Sequence, residues 1–343
     1  MSALDVDLTW YSPFAPPLQL CGLPWARQLG RLRRLPVLPA GVLPASVDSL
    51  ANQPAGGQVR FRTNSRVLKA RVRLEKQADM YHMTPVGQCG FDCYIDGRFA
   101  GCAGFLESQR EYESDVPVGF DGAEHEVVLN LPLYMAVEQF EVGLDAKAAV
   151  LPPAPFAVAG PVVFYGTSIT QGGCACRPGM AYISILGRRL NVETVNLGFS
   201  GSGCGEAAVA RCLAELKAPS LYVLDYVANV GAALLRETFP PFVDILRAAH
   251  PTVPILALDR IRWALDLFVP SSEAERCACG QFLAESVASR RRQGDLHMHY
   301  CSMEDALGAD FDECTVDRIH PTDLGFERMA NHLQPVIHGI LWG

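Results

Sequence analysis

From residue 156 onward the chain alternates short apolar, β-branched runs with longer helical stretches, and that alternation leaves few folds open. The strand-like runs are Val162–Tyr165, Val192–Val195, Leu221–Leu224, Val253–Leu258 and Leu296–Tyr300. Between and after them lie stretches read as helices: Pro178–Leu190, Gly205–Lys217, Ala232–His250, Ser272–Arg291 and Thr322–His338. A strand apolar on both faces has no side to give to water and must be covered twice. Strand–helix alternation meets that demand with a parallel sheet between two helical layers, so the expected fold is α/β and three-layered.

The first part of the chain has a different period. Met1 to about Leu50 is rich in proline and leucine and reads as an extended lead-in with one strand near Leu8–Tyr11. After Gly57 come short alternating runs at Val59–Thr63, Val67–Leu74, Phe91–Gly97, His125–Leu131 and Phe140–Leu144, with Gly and Asp turns among them. Such runs predict an antiparallel β-sandwich, jelly-roll-like in character. Leu151-Pro152-Pro153-Ala154-Pro155 cannot join a sheet interior and forms a stiff spacer. The expected organisation is a β-sandwich over 1–150, a linker over 151–155 and a second domain over 156–343.

Bulk properties exclude some functions. A formal net charge of -8 and a pI near 5.5 argue against nucleic acid or an anionic membrane surface as partner. No run approaches the roughly 20 apolar residues needed to span a bilayer. The start Met1-Ser2-Ala3-Leu4-Asp5-Val6-Asp7 is acidic and lacks an apolar leader core, so the expected location is cytoplasmic. The 12 cysteines are scattered through strand-like and helix-like runs, which favours reduced, buried thiols over a disulfide framework. Cys174-Ala175-Cys176 and Cys277-Ala278-Cys279 lack a second pair at zinc-finger spacing, so neither a metal nor another cofactor is expected.

Chemistry is expected where the first strand of the second domain ends, at Val162-Val163-Phe164-Tyr165-Gly166-Thr167-Ser168-Ile169. Ligands of open parallel sheets bind beyond the carboxyl ends of the strands. A serine in such a turn also serves simply as a helix cap. A nucleophilic serine needs a base within hydrogen-bond reach, oriented by a third group. Of the 8 histidines, His320 is the one with an aspartate, Asp317, three residues earlier and a proline, Pro321, directly after. Pro321 disfavours the α region at His320 and can open the next helix in its first turn.

Four blocks together, Gly166-Thr167-Ser168-Ile169, Asn196-Leu197-Gly198-Phe199-Ser200-Gly201, Val227-Ala228-Asn229 and Asp317-Arg318-Ile319-His320-Pro321, resemble those of the SGNH (GDSL-like) hydrolases. The resemblance implies a flavodoxin-like sheet, a Ser168–His320–Asp317 triad and an oxyanion hole made of the Ser168 N–H, the Gly201 N–H and the Asn229 side-chain amide, with Gly198 as the alternative glycine. The third block departs from the common Gly-x-Asn-Asp, and the first has threonine where many members have aspartate. Gln77-Ala78-Asp79-Met80-Tyr81 is similar to the Gly-x-Asp-Leu-Tyr signature of a domain that precedes some of these hydrolases. Asp79 there would satisfy backbone donors, and Tyr81 would either pack or touch the active-site rim. Arg260, Arg262 and Trp263 follow a strand and are candidates for a substrate rim, with a surface arginine pair beside a half-buried tryptophan as the alternative.

The two-domain relatives imply an esterase that removes acetyl or similar small acyl groups from carbohydrate, with a small-molecule or oligosaccharide ester as partner. Homo-oligomerisation is expected only by analogy. A thioesterase or lysophospholipase would use the same residues. A non-catalytic carbohydrate-binding protein with a degenerate hydrolase domain is the reading from another class, motivated by the altered third block.

Overall fold

The computed structural model describes residues 6–116 and 121–343, so the acidic start up to Asp5 lies outside the described residues. The chain divides into two compact units. The first takes in the described residues of Met1–Arg34 and Asn52–Pro155 together with Arg177–Gly179. The second comprises Leu35–Ala51, Phe156–Cys176 and Met180–Gly343. The expected boundary thus runs differently at two places: residues 35–51 go with the α/β unit, and Arg177–Gly179 with the β unit. Asp92, fully buried, accepts hydrogen bonds there from the Arg177 guanidinium at 2.7 Å and the Gly179 N–H at 2.8 Å.

The first unit contains β1 (Leu8–Tyr11), β2 (Gln19–Cys21), β3 (Gln58–Thr63), β4 (Leu68–Leu74), β5 (Asp92–Ile95), β6 (Arg98–Cys102), β7 (Glu111–Asp115), β8 (His125–Asn130), β9 (Val137–Asp145) and β10 (Val150–Leu151). Two antiparallel sheets result, ordered β1-β9-β4-β7 and β10-β3-β8-β5-β6, with β2 added on β3. Alternation in β4 shows why. Leu68, Ala70, Val72 and Leu74 turn into the core, while Lys69, Arg71 and Arg73 face out and pair with carboxylates of β7 and β9 or its neighbourhood. Phe61, Phe91, Leu129 and Phe140 lie in that core, and Phe91 stacks on Phe140 at 4.5 Å. Each fully buried side chain of this size contributes on the order of 1.5–3 kcal/mol. Strands β2, β6, β7 and β10 escaped the sequence reading because they are short or largely polar. Two short helices, α1 (Ala26–Leu29) and, in the second unit, α2 (Ala45–Leu50), interrupt the Pro-rich lead-in, and α3 (Pro85–Cys89) follows Thr84 as its cap.

The second unit is a five-stranded parallel sheet of β11 (Val162–Gly166), β12 (Thr194–Gly198), β13 (Leu221–Asp225), β14 (Ile255–Leu258) and β15 (Met298–Cys301). Its order, β12-β11-β13-β14-β15, is the flavodoxin-like one, with the switch point between β11 and β13. All residues of β11, β12, β13 and β14 are buried, as expected of strands covered on both faces. Helices α4 (Ser168–Gln171), α5 (Tyr182–Leu190), α6 (Ala207–Ala214), α7 (Ala232–Ala249), α8 (Pro270–Arg292) and α9 (Asp323–Trp342) connect and flank the strands.

Most element ends shift by a few residues from expectation, and at two of them the local reason is visible. Val192 is not yet strand, because Asn191 ends α5 in the left-handed region and Val192 N–H still bonds the Gly187 carbonyl at 3.0 Å. Pro178–Met180 form a separate 3₁₀ turn ahead of α5. Helix α7 runs through Pro240 and Pro241, with the Pro240 carbonyl taken by the Arg290 guanidinium at 3.2 Å. No described helix is long and apolar enough to cross a membrane.

Candidate active site

At the switch point, Gly166 of β11 is level with Gly198 of β12 and Asp225 of β13. Space there is tight: a Cβ on Gly166 would lie 2.1 Å from Thr170 Oγ1 and 2.3 Å from the Asp225 carbonyl oxygen. A Cβ on Gly198 would lie 2.2 Å from the Gln171 nitrogen. The chain then turns into α4, whose first residue is Ser168. Thr167 Oγ1 accepts the Ile169 N–H at 3.2 Å, and Thr170 Oγ1 accepts the Thr167 N–H at 2.9 Å, a reciprocal cap on a single helical turn. The far end of α4 is tied to β12, since the Asn196 amide donates to the Thr170 carbonyl at 2.8 Å.

The histidine arrives on a tight loop. Thr315 and Pro321 form an antiparallel bridge, Val316 N–H bonds the His320 carbonyl at 2.8 Å, and Arg318 sits at φ 74°. Asp317 organises the turn with Oδ1, which accepts the N–H groups of Ile319 at 3.1 Å and His320 at 2.9 Å. Its Oδ2 accepts from His320 Nδ1 at 2.7 Å. Nε2 of the same ring is 2.8 Å from Ser168 Oγ, placed to receive the hydroxyl proton. Pro321 precedes the helix instead of opening it: Thr322 is the cap of α9, its Oγ1 accepting from Gly325 N–H.

Partial burial opposes ionisation of Asp317, but the hydrogen bonds from His320 and Ile319 outweigh it and hold the carboxyl below its usual range. A carboxylate on Nδ1 selects the tautomer with Nε2 unprotonated. Cys174, at φ 73°, lies with its Sγ within 4.8 Å of Asp317 and His320 ligand atoms. Burial pushes its thiol up to about 12, so it stands there neutral.

The glycine block wraps the same strand ends. Gly201 is exposed, at φ 61°, with open space where a Cβ would be, and its N–H has no hydrogen-bond partner among the described residues. Gly198, the alternative, is there for close approach and not for a positive φ. Asn229 lies in a 3₁₀ turn after β13, and its side-chain amide donates to the carbonyls of Phe199 and Gly203, each at 3.2 Å. It therefore stitches the turn that contains Gly201, and offering a proton to a ligand means releasing one of these long bonds.

The other sequence candidates fare differently. Arg260 is buried, and its two terminal nitrogens bond both Asp266 oxygens at 2.8 Å and the Ser272 carbonyl at 2.7 Å. That corrects the expectation of a substrate rim: the arginine, stacked on Trp263 at 3.9 Å, holds its own loop together. Arg262 lies over the Phe311 ring at 4.0 Å, and its Nε and the Trp263 Nε1 are buried without hydrogen-bond partners among the described residues. In the first unit, the Asp79 carboxylate is held mainly by the side chains of Lys76 and Gln88, and most of the capping of backbone donors expected of it falls to Gln88. Gln88 accepts from the N–H groups of Asp79 and Met80 and donates to the Asp79 carboxylate at 2.7 Å. Tyr81 is 92 % exposed and its ring meets His82 at 4.7 Å, so it does not pack into the core.

Sequence reasoning missed the layer beneath the serine. Asp225 is buried, and its Oδ2 accepts from both Thr170 Oγ1 at 2.8 Å and Tyr182 OH at 2.7 Å. A carboxylate closing the apolar run Leu221–Leu224 is the signal that was there to be read. Likewise Glu206 accepts from the Cys204 N–H at 2.9 Å and from Tyr165 OH, steadying the end of the glycine block.

The GDSL-like lipase/acylhydrolase family model matches residues 159–338, and the model for the N-terminus of SGNH-hydrolase-type esterases (GxDLY) matches residues 8–150. A protein of Bacteroides ovatus designated a GDSL-like lipase is 31% identical, with 98% of each chain covered and a TM-score of 0.88. The salicylyl-acyltransferase SsfX3 of a tetracycline biosynthetic pathway shares the fold at 19% identity and a TM-score of 0.76, over 97% of this chain and 98% of that one. A family two carbohydrate esterase from Clostridium thermocellum, in complex with cellohexaose, does so at 17% identity and a TM-score of 0.58, over 84% of this chain and 93% of that one. Among curated protein sequences none matches the chain.

Proposed function

The chain belongs to the GDSL-like lipase/acylhydrolase family and is a hydrolase, and from that premise we propose that it is a serine esterase removing small acyl groups, acetyl first among them, from carbohydrate. The observation that carries the reading is the unbroken line Ser168 Oγ to His320 Nε2 at 2.8 Å and His320 Nδ1 to Asp317 at 2.7 Å.

In the proposed mechanism Ser168 Oγ attacks the ester carbonyl while its proton passes to His320 Nε2. Asp317 keeps Nδ1 protonated and stabilises the imidazolium that forms. Negative charge on the carbonyl oxygen is met by the N–H groups of Ser168 and Gly201 and by the Asn229 amide. Collapse of the tetrahedral intermediate expels the alcohol, which takes the proton from Nε2. Water, deprotonated by the same histidine, then releases the acyl group from Ser168.

The carbohydrate side of the proposal is supported by the shared fold with the cellohexaose-bound esterase and by the β unit ahead of the hydrolase unit. The test is hydrolysis of 4-nitrophenyl acetate, butyrate and octanoate by the protein and its Ser168→Ala variant, followed by acetylated oligosaccharides. Loss of turnover in the variant with acetate preferred supports the proposal. Octanoate preference would move it to a lysophospholipase or thioesterase. Equal background rates in both proteins would favour the binding-protein reading, which the assembled triad argues against.

A further inference from the structure

The Thr170 hydroxyl has one proton and two lone pairs, and the structure commits both kinds. It accepts the Thr167 N–H at 2.9 Å, so its own proton must point elsewhere; Asp225 Oδ2 lies at 2.8 Å and the Asp225 carbonyl at 3.2 Å, with the Tyr182 hydroxyl, itself a donor to Oδ2, beside them. Thr167 is the residue immediately before Ser168. The chain Asp225–Thr170–Thr167 therefore ends at the peptide that sets the direction of the nucleophile.

We propose that Asp225 is a positioning residue for this turn: its carboxylate, acting through the Thr170 hydroxyl, fixes the orientation of Thr167 and Ser168. The proposal rests on the reading of Ser168 as nucleophile.

An ionised carboxylate accepts only, which forces Thr170 to donate toward Asp225 and to keep a lone pair for the Thr167 N–H. Once Asp225 is protonated it can donate as well, and the direction of the Thr170 hydroxyl is no longer dictated. Gly166 is part of the same arrangement, since a Cβ there would displace both Thr170 Oγ1 and the Asp225 carbonyl. The groups facing Asp225 are Thr170 from α4, Tyr182 OH from α5, Asp259 at the end of β14, and Arg260, which shares with it a cavity of about 10 Å³. Arg260 is engaged by Asp266, and no cation pairs with Asp225 among the described residues. Burial, opposed by the two hydroxyl donors and assisted by Asp259, raises this carboxyl to about 6. Its protonation thus falls in a range where an esterase is assayed. A small misdirection of a nucleophile is enough to slow attack substantially.

The experiment measures kcat and KM for 4-nitrophenyl acetate from pH 4.5 to 8.5, with melting temperatures as a folding check. The variants are Asp225→Asn, Thr170→Val, Thr170→Ser, the double Asp225→Asn/Thr170→Val, Tyr182→Phe and Ser168→Ala. At pH 8 the first two should each lose roughly 10- to 100-fold in kcat with KM within about twofold, and the double variant should be no worse than the worse single one. Thr170→Ser, which keeps the hydroxyl, should recover most of the rate. Tyr182→Phe, which removes a hydroxyl beside both Asp225 and Thr170 but keeps the carboxylate and the Thr170 hydroxyl, should lose less than either Asp225→Asn or Thr170→Val. On the acid side the wild-type kcat should fall with a slope near two, and that of Asp225→Asn with a slope near one. Additive losses, an equal loss in Tyr182→Phe, no recovery by Thr170→Ser, or identical acid limbs would each overturn the proposal. Full activity of Ser168→Ala would instead overturn the reading it rests on. Should Asp225→Asn fail to fold, the acid limb of the wild-type kcat decides: a slope near two in the wild type that falls to near one in Thr170→Val supports the proposal, and equal slopes overturn it.

Discussion

Replacing Asp317 by asparagine leaves shape almost untouched and reverses one hydrogen bond. In the native turn Oδ1 accepts two backbone N–H groups, at 3.1 and 2.9 Å, while Oδ2 accepts the His320 Nδ1 proton at 2.7 Å. An asparagine side chain has one acceptor and one donor for these two stations. With its oxygen on the backbone donors the turn survives, and its NH₂ then faces Nδ1 and selects the tautomer protonated at Nε2. That nitrogen, 2.8 Å from Ser168 Oγ, can no longer take the serine proton. The opposite orientation sets an NH₂ against two backbone N–H groups, which costs about 1–3 kcal/mol for each buried donor left unsatisfied. The expected loss in kcat is about 10⁴-fold, equivalent to roughly 5.4 kcal/mol in the barrier. The global stability should change by less than about 1 kcal/mol, because the turn hydrogen bonds are kept. Stopped-flow or steady-state hydrolysis of 4-nitrophenyl acetate reads the first quantity and thermal unfolding the second. A variant within tenfold of wild type, folded normally, would refute the assignment of Asp317 as the group that orients His320.

Asp225→Asn should raise stability at pH 8 while lowering activity. The native carboxyl, lifted by burial from 3.8 to about 6, favours the folded state when protonated and progressively loses that contribution as pH rises through 4 to 6. Two pH units correspond to about 3 kcal/mol, so the gain from a neutral amide should be of that order at pH 8 and vanish near pH 4, read from melting curves. Gly166→Ala should abolish activity and destabilise strongly, since tightly held atoms lie 2.1 and 2.3 Å from the new methyl. Gly201→Ala, with open space around it and a φ of 61°, should cost only the backbone strain of about 1 kcal/mol and keep most of the activity. Thiol labelling at pH 8 should modify exposed Cys277 first and leave Cys174, at about 12, untouched until unfolding; early loss of activity by Cys174 labelling would contradict its burial.

The strands of the α/β unit were legible because runs such as Val162–Tyr165 and Leu221–Leu224 have no polar face, and the parallel sheet follows from their alternation with helices. Ser168 and His320 were legible for a different reason: each sits in a short block whose turn residues, Gly166 and Pro321, are unusual in element interiors. Arg260 misled because nothing local distinguishes a guanidinium aimed at solvent from one aimed at Asp266 six residues on, and only burial decides between them. The supporting layer of Thr170, Tyr182 and Asp225 was invisible because it is assembled from three separate elements, and the register that joins them is a property of the sheet. Residues 35–51 were read as lead-in because their prolines mask a six-residue helix whose Val47 is fully buried.

That last segment bears on how the protein is made. The α/β unit is not a contiguous piece of chain: it needs Leu35–Ala51 from near the beginning as well as everything after Phe156, apart from three residues. During synthesis the early segment, with Leu35, Val47 and Ala51 destined for burial, leaves the ribosome long before the rest of its unit exists. It must wait, apolar and unsatisfied, for about a hundred residues of other structure to appear, which makes the closing of this unit a late, long-range event. Cutting the gene at the Pro-rich spacer to obtain the hydrolase unit alone would leave that piece behind.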